Sequence, residues 1–316
     1  MQQFAHISDP HLTSLEQVRA FELLNKRALG YLSWRRKRRH EHRPEVLAAL
    51  GRDLRQRTLC QLLITGDLTH IGLPAEFLQA AQWLRELGAP ADVALVPGNH
   101  DACVSAPWER TFAEWLPYMA SDDRVAQDRA APDRDGPPAD LFPSLRVRGE
   151  LAFIGVSTAV PTPPLLATGT AGAAQIRRLA GVLRETAARG LFRVVYLHHC
   201  PLAGREKWRK RLTDAASLES VLAEEGVELV LHGHGHRGHR NELATRAGNA
   251  PVIAVPSASA LGLHGRDVAA YNCFTVAAHA TGWTLGIDER RYNSGTRAFV
   301  AGTRTEVAIA RARLAA

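Results

Sequence analysis

Two periods of hydrophobicity alternate along the chain. Short apolar runs at residues 3–8, 59–65, 92–96, 193–197 and 228–231 stop at Gly, Pro, Asp or His, as buried strands do. Between them lie stretches whose apolar positions return every three or four residues. These are residues 15–40 (Val18, Phe21, Leu24, Ala28, Leu32), 45–57 behind Pro44, a segment opened by Pro74 that carries Phe77, Ala81, Leu84 and Leu87 up to Gly88, then 108–119, 172–189 and 214–225. Pro just inside the start and Gly just past the end is the asymmetry of a helix. Residues 145–147 and 151–156, separated by Arg148-Gly149-Glu150, predict a hairpin, and 160–168 a Pro-rich loop. Residues 120–143, rich in Asp, Arg, Ala and Pro, follow neither period and predict a surface loop or lid margin. Beyond residue 236 only strands follow, at 240–246, 251–256, 272–278 and 282–288. Alternating strands and helices, then strands alone, predict one α/β domain over residues 1–316. Its expected form is a four-layer α/β/β/α sandwich of two mixed sheets packed face to face with flanking helices.

The strand ends carry the chemistry. Five fragments each follow an apolar run: Asp9-Pro10-His11, Gly66-Asp67, Gly98-Asn99-His100-Asp101, His198-His199 and His232-Gly233-His234-Gly235-His236. Ligands of open α/β sheets bind at the carboxyl ends of strands. Singly, a Gly-Asp is a turn and a His-x-His a loop accident; five together are a ligand set. Asp9, His11, Asp67, Asn99, His198, His234 and His236 combine imidazole, carboxylate and amide oxygen, which suits Mn, Fe or Zn better than soft ions. Two ions about 3.5–4 Å apart can hold a hydroxide between them and clamp a phosphoryl oxygen. The single carboxylate of the tight Gly66-Asp67 turn is a natural bridge between two such ions.

Composition narrows the class. The chain has 316 residues, 46% of them hydrophobic, enough for a sizeable core. Its four cysteines (Cys60, Cys103, Cys200, Cys273) lack paired spacing, which argues against a disulfide framework and fits a reducing compartment. No apolar run approaches the ~18–20 residues of a membrane span, and candidate ligands begin at Asp9, so the expectation is a cytoplasmic protein. A net charge of +7 points to anionic partners. Much of it lies in residues 26–43, within an expected basic helical insertion at about residues 15–43, where eight Lys and Arg are mixed with Leu29, Tyr31, Leu32 and Trp34. Three readings compete for this stretch: a surface helix docked on the core, a helix lying on an anionic membrane, and, as the weaker partner, a grip on nucleic acid.

The fragments, in this order, resemble the calcineurin-like metallophosphoesterases, whose pattern is Asp-x-His, Gly-Asp, Gly-Asn-His-Asp/Glu, a His near a Pro, and Gly-His-x-His. The match runs from about Phe4 to His236, and the antiparallel tail is what the second sheet of that family would require. Two departures stand out: His198-His199-Cys200-Pro201 replaces the common His-His-Pro-Pro, and Gly235 stands where many members carry Thr. The resemblance implies two divalent ions, Mn favoured over Fe or Zn. Asp9, His11 and His236 would hold one, Asn99, His198 and His234 the other, and Asp67 both. It also implies that His100 acts on the leaving oxygen and that Asp101 orients its imidazole. Arg205 and Lys207, after the fourth fragment, are candidates for substrate phosphate. The reaction implied is hydrolysis of a phosphodiester or pyrophosphate. The basic stretch resembles members that act on a nucleotide-linked lipid precursor at the inner membrane surface. The alternatives are a soluble cyclic-nucleotide or other small-molecule phosphodiesterase and, from another class, a non-catalytic scaffold. His70, His232, His239 and His264 are expected to be structural or solvent-facing. Oligomeric state is left open.

Overall fold

The computed structural model describes residues 1–123 and 141–310; most of the expected lid margin at 120–143 lies outside them. Two six-stranded sheets face each other. The first has the order β12-β11-β10-β1-β2-β3 and the second β4-β5-β6-β7-β9-β8. In the first, β1 (Gln2–Ile7), β2 (Gln61–Ile64) and β3 (Val93–Leu95) run parallel, while β10 (Ala270–His279), β11 (Gly282–Asn293) and β12 (Ala298–Ala310) are antiparallel. In the second, β5 (Leu151–Val156), β6 (Phe192–Leu197), β7 (Leu229–His232) and β9 (Gly248–Ala254) are parallel. Antiparallel β4 (Ser144–Arg148) and β8 (His239–Thr245) form its edges. This is the expected α/β sandwich of two mixed sheets with flanking helices.

The core lies between the sheets. Phe4 of β1 stacks on Phe274 of β10 at 4.8 Å and meets the edge of Phe153, on the facing sheet, at 5.1 Å. The parallel strands are mostly apolar on both faces because helices cover their outer faces, with His6, Gln61, Arg193 and His232 as buried polar exceptions. The helices Pro44–Leu54 and Pro74–Leu87 bury Val46, Leu47, Leu50, Leu54 and Phe77, Ala80, Ala81, Leu84. Against the second sheet, Ala173–Ala188 buries Ile176, Leu179 and Leu183, and Ala215–Glu225 buries Leu218 and Leu222. Strand register sets the site: Ile7 pairs with Ile64 and Ile64 with Leu95, so three loops leave the first sheet at one level. Tyr196 pairs with Leu231 in the second, levelling two more.

Three expectations change. The tail does not make a second sheet by itself: β8 and β9 join the second sheet, whereas β10 to β12 extend the first. The expected helix at 108–119 is two short 3-10 turns followed by the single turn Leu116–Met119. The expected helix at 15–40 is a 3-10 turn (Ala20–Leu23), a helix (Arg27–Ser33), a π-helical turn (Trp34–Arg38) and a last turn (Arg39–Glu41). Its helical spacing of apolar residues is not a core stripe. Phe21, Leu24, Leu29 and Leu32 face outward, while Trp34 (5% exposed) turns in against Leu15, Ile71 and Leu73. Asn25 interrupts the run by accepting the Arg27 N–H at 2.9 Å, the local competition that makes Asn a poor interior helix residue.

Candidate metal centre

All five fragments arrive at one place, between the carboxyl ends of β1, β2, β3, β6 and β7. The backbone marks the spot. Among the described residues, seven that are not glycine have positive φ, and five of these are Asp9, His11, Asp67, His234 and His236. Such conformations cost an L residue free energy and persist where the surroundings over-determine them, typically at functional sites. Glycines permit the loops to cross. A Cβ on Gly98 would lie 2.2 Å from Asp67 Oδ1, and one on Gly233 1.7 Å from Ser8 Oγ. The loops are stitched by backbone bonds, Asp9 N to Gly66 O, His11 N to Asp67 O and Gly233 N to His198 O, each 3.0 Å.

Two adjacent groups of ligand atoms are brought together by these fragments. Asp9, His11, Asp67 and His236 offer atoms all within 4.8 Å of one another, and so do His198, His199 and His234. Asp67 lies between the two, with Oδ2 3.9 Å from His11 Nε2 and 3.4 Å from His198 Nε2. Asn99 Oδ1 is 3.1 Å from His198 Nε2. Carbonyls settle the tautomers: His11 Nδ1–H donates to Thr69 O at 2.9 Å and His198 Nδ1–H to Thr65 O at 2.6 Å. With a proton at Nδ1, each ring turns Nε2 inward, the nitrogen left for a metal ion to take. Nitrogen then faces nitrogen: His11 Nε2 is 3.3 Å from His236 Nε2, and His198 Nε2 is 3.3 Å from His234 Nδ1. Asp9 Oδ1, fully buried and 3.1 Å from His236 Nε2, makes no hydrogen bond, and His234 Nε2 also lacks a partner. A cation at each group satisfies these converging atoms, so the residues fit a pair of divalent ions.

Electrostatics agree. Burial alone would raise the Asp9 carboxyl, but His236 and the Ser8 hydroxyl hold it well below the usual carboxylate range. Burial disfavours charge on His198, yet Asp67 and Asp9 outweigh it and lift the imidazole to about 9, so with no cation beside it Nε2 carries a second proton facing Asp67 and Asn99, which a bound ion would displace. Burial and neighbouring histidines keep His11 and His234 well below the usual imidazole value, hence neutral and free to ligate.

His100 stands beside the first group, its ring 5.0 Å from that of His11. Its Nδ1–H donates to the His70 carbonyl at 2.7 Å. That carbonyl, not Asp101, orients the imidazole, which corrects the expected pairing. Asp101 instead accepts from Gly98 N, Asp67 N and Thr69 N at 2.8–2.9 Å and from Thr69 Oγ1 at 3.0 Å, clasping the Asp67 and Asn99 loops together. Burial and the adjacent Asp67 charge push its carboxyl up to about 7.

Two residues of the site were not found from sequence. Arg38 sends its guanidinium in from the π-helical turn, with Nη1 3.0 Å from His100 Nδ1 and the charges of Asp67 and Asp9 close enough to bear on it. His42, from the end of the same segment, puts its ring 4.6 Å from that of His11. The only sequence signal was the basic stretch itself, which did not distinguish inward from outward cations. Arg205 and Lys207 stand exposed on their loop; the cation of that loop whose charge bears on His234 is Lys210. His70 is buried against His11, and His232 is fully buried.

A family model described as calcineurin-like phosphoesterase matches residues 3–238. A probable cyclic nucleotide phosphodiesterase of Synechococcus sp. is 41% identical over 58 residues, which cover 18% of this chain and 22% of that protein. The aligned stretch is therefore well under two thirds of that relative's length. A dimetal phosphatase from Danio rerio superposes with a TM-score of 0.52 at 12% identity, over 98% of this chain and 99% of that one, a likeness of fold.

Proposed function

The chain belongs to the calcineurin-like phosphoesterase family, and we propose that it hydrolyses a phosphodiester or pyrophosphate bond in a nucleotide-linked lipid precursor at an anionic membrane surface. The family makes it a metal-dependent phosphoester hydrolase; the lipid substrate is the further step. Two divalent ions, Mn favoured, would polarise a phosphoryl oxygen and supply an activated water. Asp9, His11 and His236 would hold one ion, Asn99, His198 and His234 the other, and Asp67 both. Around them the chain's own groups divide the work. Arg38, beside His100, would meet an anionic phosphate with a planar guanidinium suited to its oxygens. His100, pinned through Nδ1, would present Nε2 to the leaving oxygen, and the proton given there must first be taken up at that nitrogen, because burial and Arg38 keep the free imidazole neutral. Asp101 keeps the two ligand loops in register.

One observation carries the lipid reading: the segment that sends Arg38 into the centre also presents an apolar, cationic face to solvent. Phe21, Leu24, Leu29 and Leu32 are exposed there, with Arg35, Arg36, Lys37 and Arg39 alongside in sequence. The face continues onto neighbouring loops. Lys26 Nζ donates to Thr162 Oγ1 at 2.6 Å and to Leu166 O at 2.9 Å, and Ala167 N donates to Arg209 O at 2.8 Å. These loops add exposed Leu165 and Trp208, the latter beneath the Arg209 guanidinium. The aromatic membership differs from expectation, since Trp34 is buried and Tyr31 half-buried against it. The described residues include no helix long and apolar enough to cross a membrane, so contact would be peripheral.

A soluble cyclic-nucleotide or other small-molecule phosphodiesterase is the second reading, favoured by the 58-residue likeness to the Synechococcus protein. One assay separates them. Chelator-stripped protein should lose hydrolysis of a bis-aryl phosphodiester and regain it with Mn. The restored enzyme is then given a nucleotide-diphospho-sugar lipid in anionic vesicles and, separately, cyclic nucleotides. Faster turnover of the lipid is expected; turnover of cyclic nucleotides with none of the lipid puts the second reading in its place.

A further inference from the structure

His42 ends the basic insertion and is buried, 6% exposed. The surrounding segment is tied to the loop after β9. The Leu261 N–H donates to Glu41 O at 3.0 Å, and the Gly262 and Leu263 N–H groups donate to the Glu41 carboxylate at 3.0 and 3.1 Å. His42 also bridges Ala260, and Arg43 N donates to Ser259 O. The ring is thus fixed from both sides.

Its protonation follows from its neighbours. Ser257 Oγ donates its proton to Asp9 O at 2.6 Å and can therefore only accept from His42 Nδ1, 3.2 Å away. Ser259 Oγ lies 2.8 Å from the same nitrogen. The proton is at Nδ1, and Nε2 carries a lone pair that is buried and without any partner. One ligand atom each from His11, His42 and His236 lies within 4.8 Å of the other two. The Asp9–His11–Asp67–His236 group forms without His42, so His42 adds to that group on its His11–His236 side.

We infer that His42 is a further ligand of the ion held by Asp9, His11 and His236. This rests on the reading of the centre as a metal centre and goes beyond the ligand set implied by the sequence motifs. A third imidazole makes this site richer in nitrogen than the Asp9, His11 and His236 set alone, and imidazole suits Fe and Zn, whereas carboxylate and water suit Mn. The first ion should therefore be held with a greater preference for Zn over Mn than that set alone would give. His42 also ties the insertion to the centre, so that one segment supplies a ligand and, through Arg38, a cation for the substrate.

The test uses the full chain and reads metal, not turnover. Wild-type protein, His42→Ala and His42→Gln are stripped and titrated with Zn against a competing chelator. Loss of a mere orienting partner commonly costs about 10–100-fold in metal affinity. The first site should therefore weaken by at least about tenfold in both variants, the second site should hold, and the preference of the first for Zn over Mn should narrow. A measurement without any variant runs alongside: in Co-loaded wild-type protein, the His42 Nδ1 proton should appear among the strongly shifted exchangeable resonances of ligating imidazoles. Folded variants that bind both ions with wild-type affinity, or a wild-type spectrum without a His42 resonance, overturn the assignment. A wild-type protein that binds no divalent ion overturns the metal-centre reading itself, and His42 with it.

Discussion

Asn99 and His100 are adjacent in sequence, yet their side chains meet different demands. Asn99 turns its amide oxygen toward His198, whereas His100 is anchored outside both ligand groups by the His70 carbonyl. Their loss should separate in experiment. Asn99→Ala should lower occupancy of one ion, and excess metal should restore part of the activity. His100→Ala should retain two equivalents of metal while turnover falls ~10²–10⁴-fold, the usual range for loss of general acid–base catalysis. Metal analysis beside kinetics checks this, and rescue of His100→Ala by metal would show that His100 is a ligand. At this same scale His11 and His198 owe their inward Nε2 atoms to two backbone carbonyls, Thr69 O and Thr65 O. No side-chain substitution removes those acceptors, so the tautomers belong to the fold.

At the scale of elements, the helix Pro44–Leu54 links the basic insertion to the first sheet through one carboxylate. Asp53 accepts from Arg290 of β11 at 2.7 and 3.1 Å, from the Tyr271 hydroxyl of β10, and from Arg57 at 3.5 Å. Burial would raise this carboxyl, but Arg290, Tyr271 and Arg57 outweigh it and hold it below its ordinary value. A carboxylate with a depressed folded-state pKa stabilises fully above the unfolded value of about 3.9, and that stability is lost as pH falls through the lower folded value. Asp53→Asn should therefore cost about 1–2 kcal/mol at neutral pH, a charge-assisted bond discounted for its partly exposed partners. The difference from wild type should shrink below pH 4. Urea unfolding at pH 7 and pH 3 measures both, and an equal deficit at the two values would remove the charge from the explanation. The insertion shows the opposite relation between pattern and place. It reads as one helix, yet its π-helical turn buries Trp34 and aims Arg38 inward while Leu29 and Leu32 stay outside. Such turns concentrate at functional sites.

At the scale of the whole molecule, the outward face of the insertion and the inward Arg38 require that membrane binding and chemistry be separable. Charge reversal at Arg35, Arg36, Lys37 and Arg39 should abolish binding to anionic vesicles, each cation being worth about 1 kcal/mol near such a surface. Wild-type binding should weaken as salt rises. Hydrolysis of a small soluble diester should survive the reversal, because these four side chains are exposed and none belongs to a ligand group. Arg38 is excluded from that set, since it stands beside His100. Sedimentation with vesicles at two salt concentrations decides it: no binding even at low salt removes the membrane from the proposal.

Much of this protein was legible along the chain, because its signals are local. An apolar run that ends in Asp, His or Asn needs no distant residue to be recognised, and five such endings located Asp9, His11, Asp67, Asn99, His198, His234 and His236. Period and proline placed the helices Pro44–Leu54 and Pro74–Leu87 within a few residues. What depended on remote partners was not legible. β12 is almost wholly exposed and carries no apolar alternation, so only its pairing with β11 makes it a strand. The division of the tail between two sheets depends on β9 finding β7, parallel, across a gap in sequence. Asp101 and His100 exchange their expected partners because the nearest acceptor in space, His70 O, comes from another loop. Arg38 and His42 look like their basic neighbours in sequence. They become members of the site only because the loops at Ile71 and Ser257–Ala260 dock that segment with these two side chains inward. Composition determined that the segment would be charged; tertiary packing alone decided which charge meets water and which meets His100 at the centre.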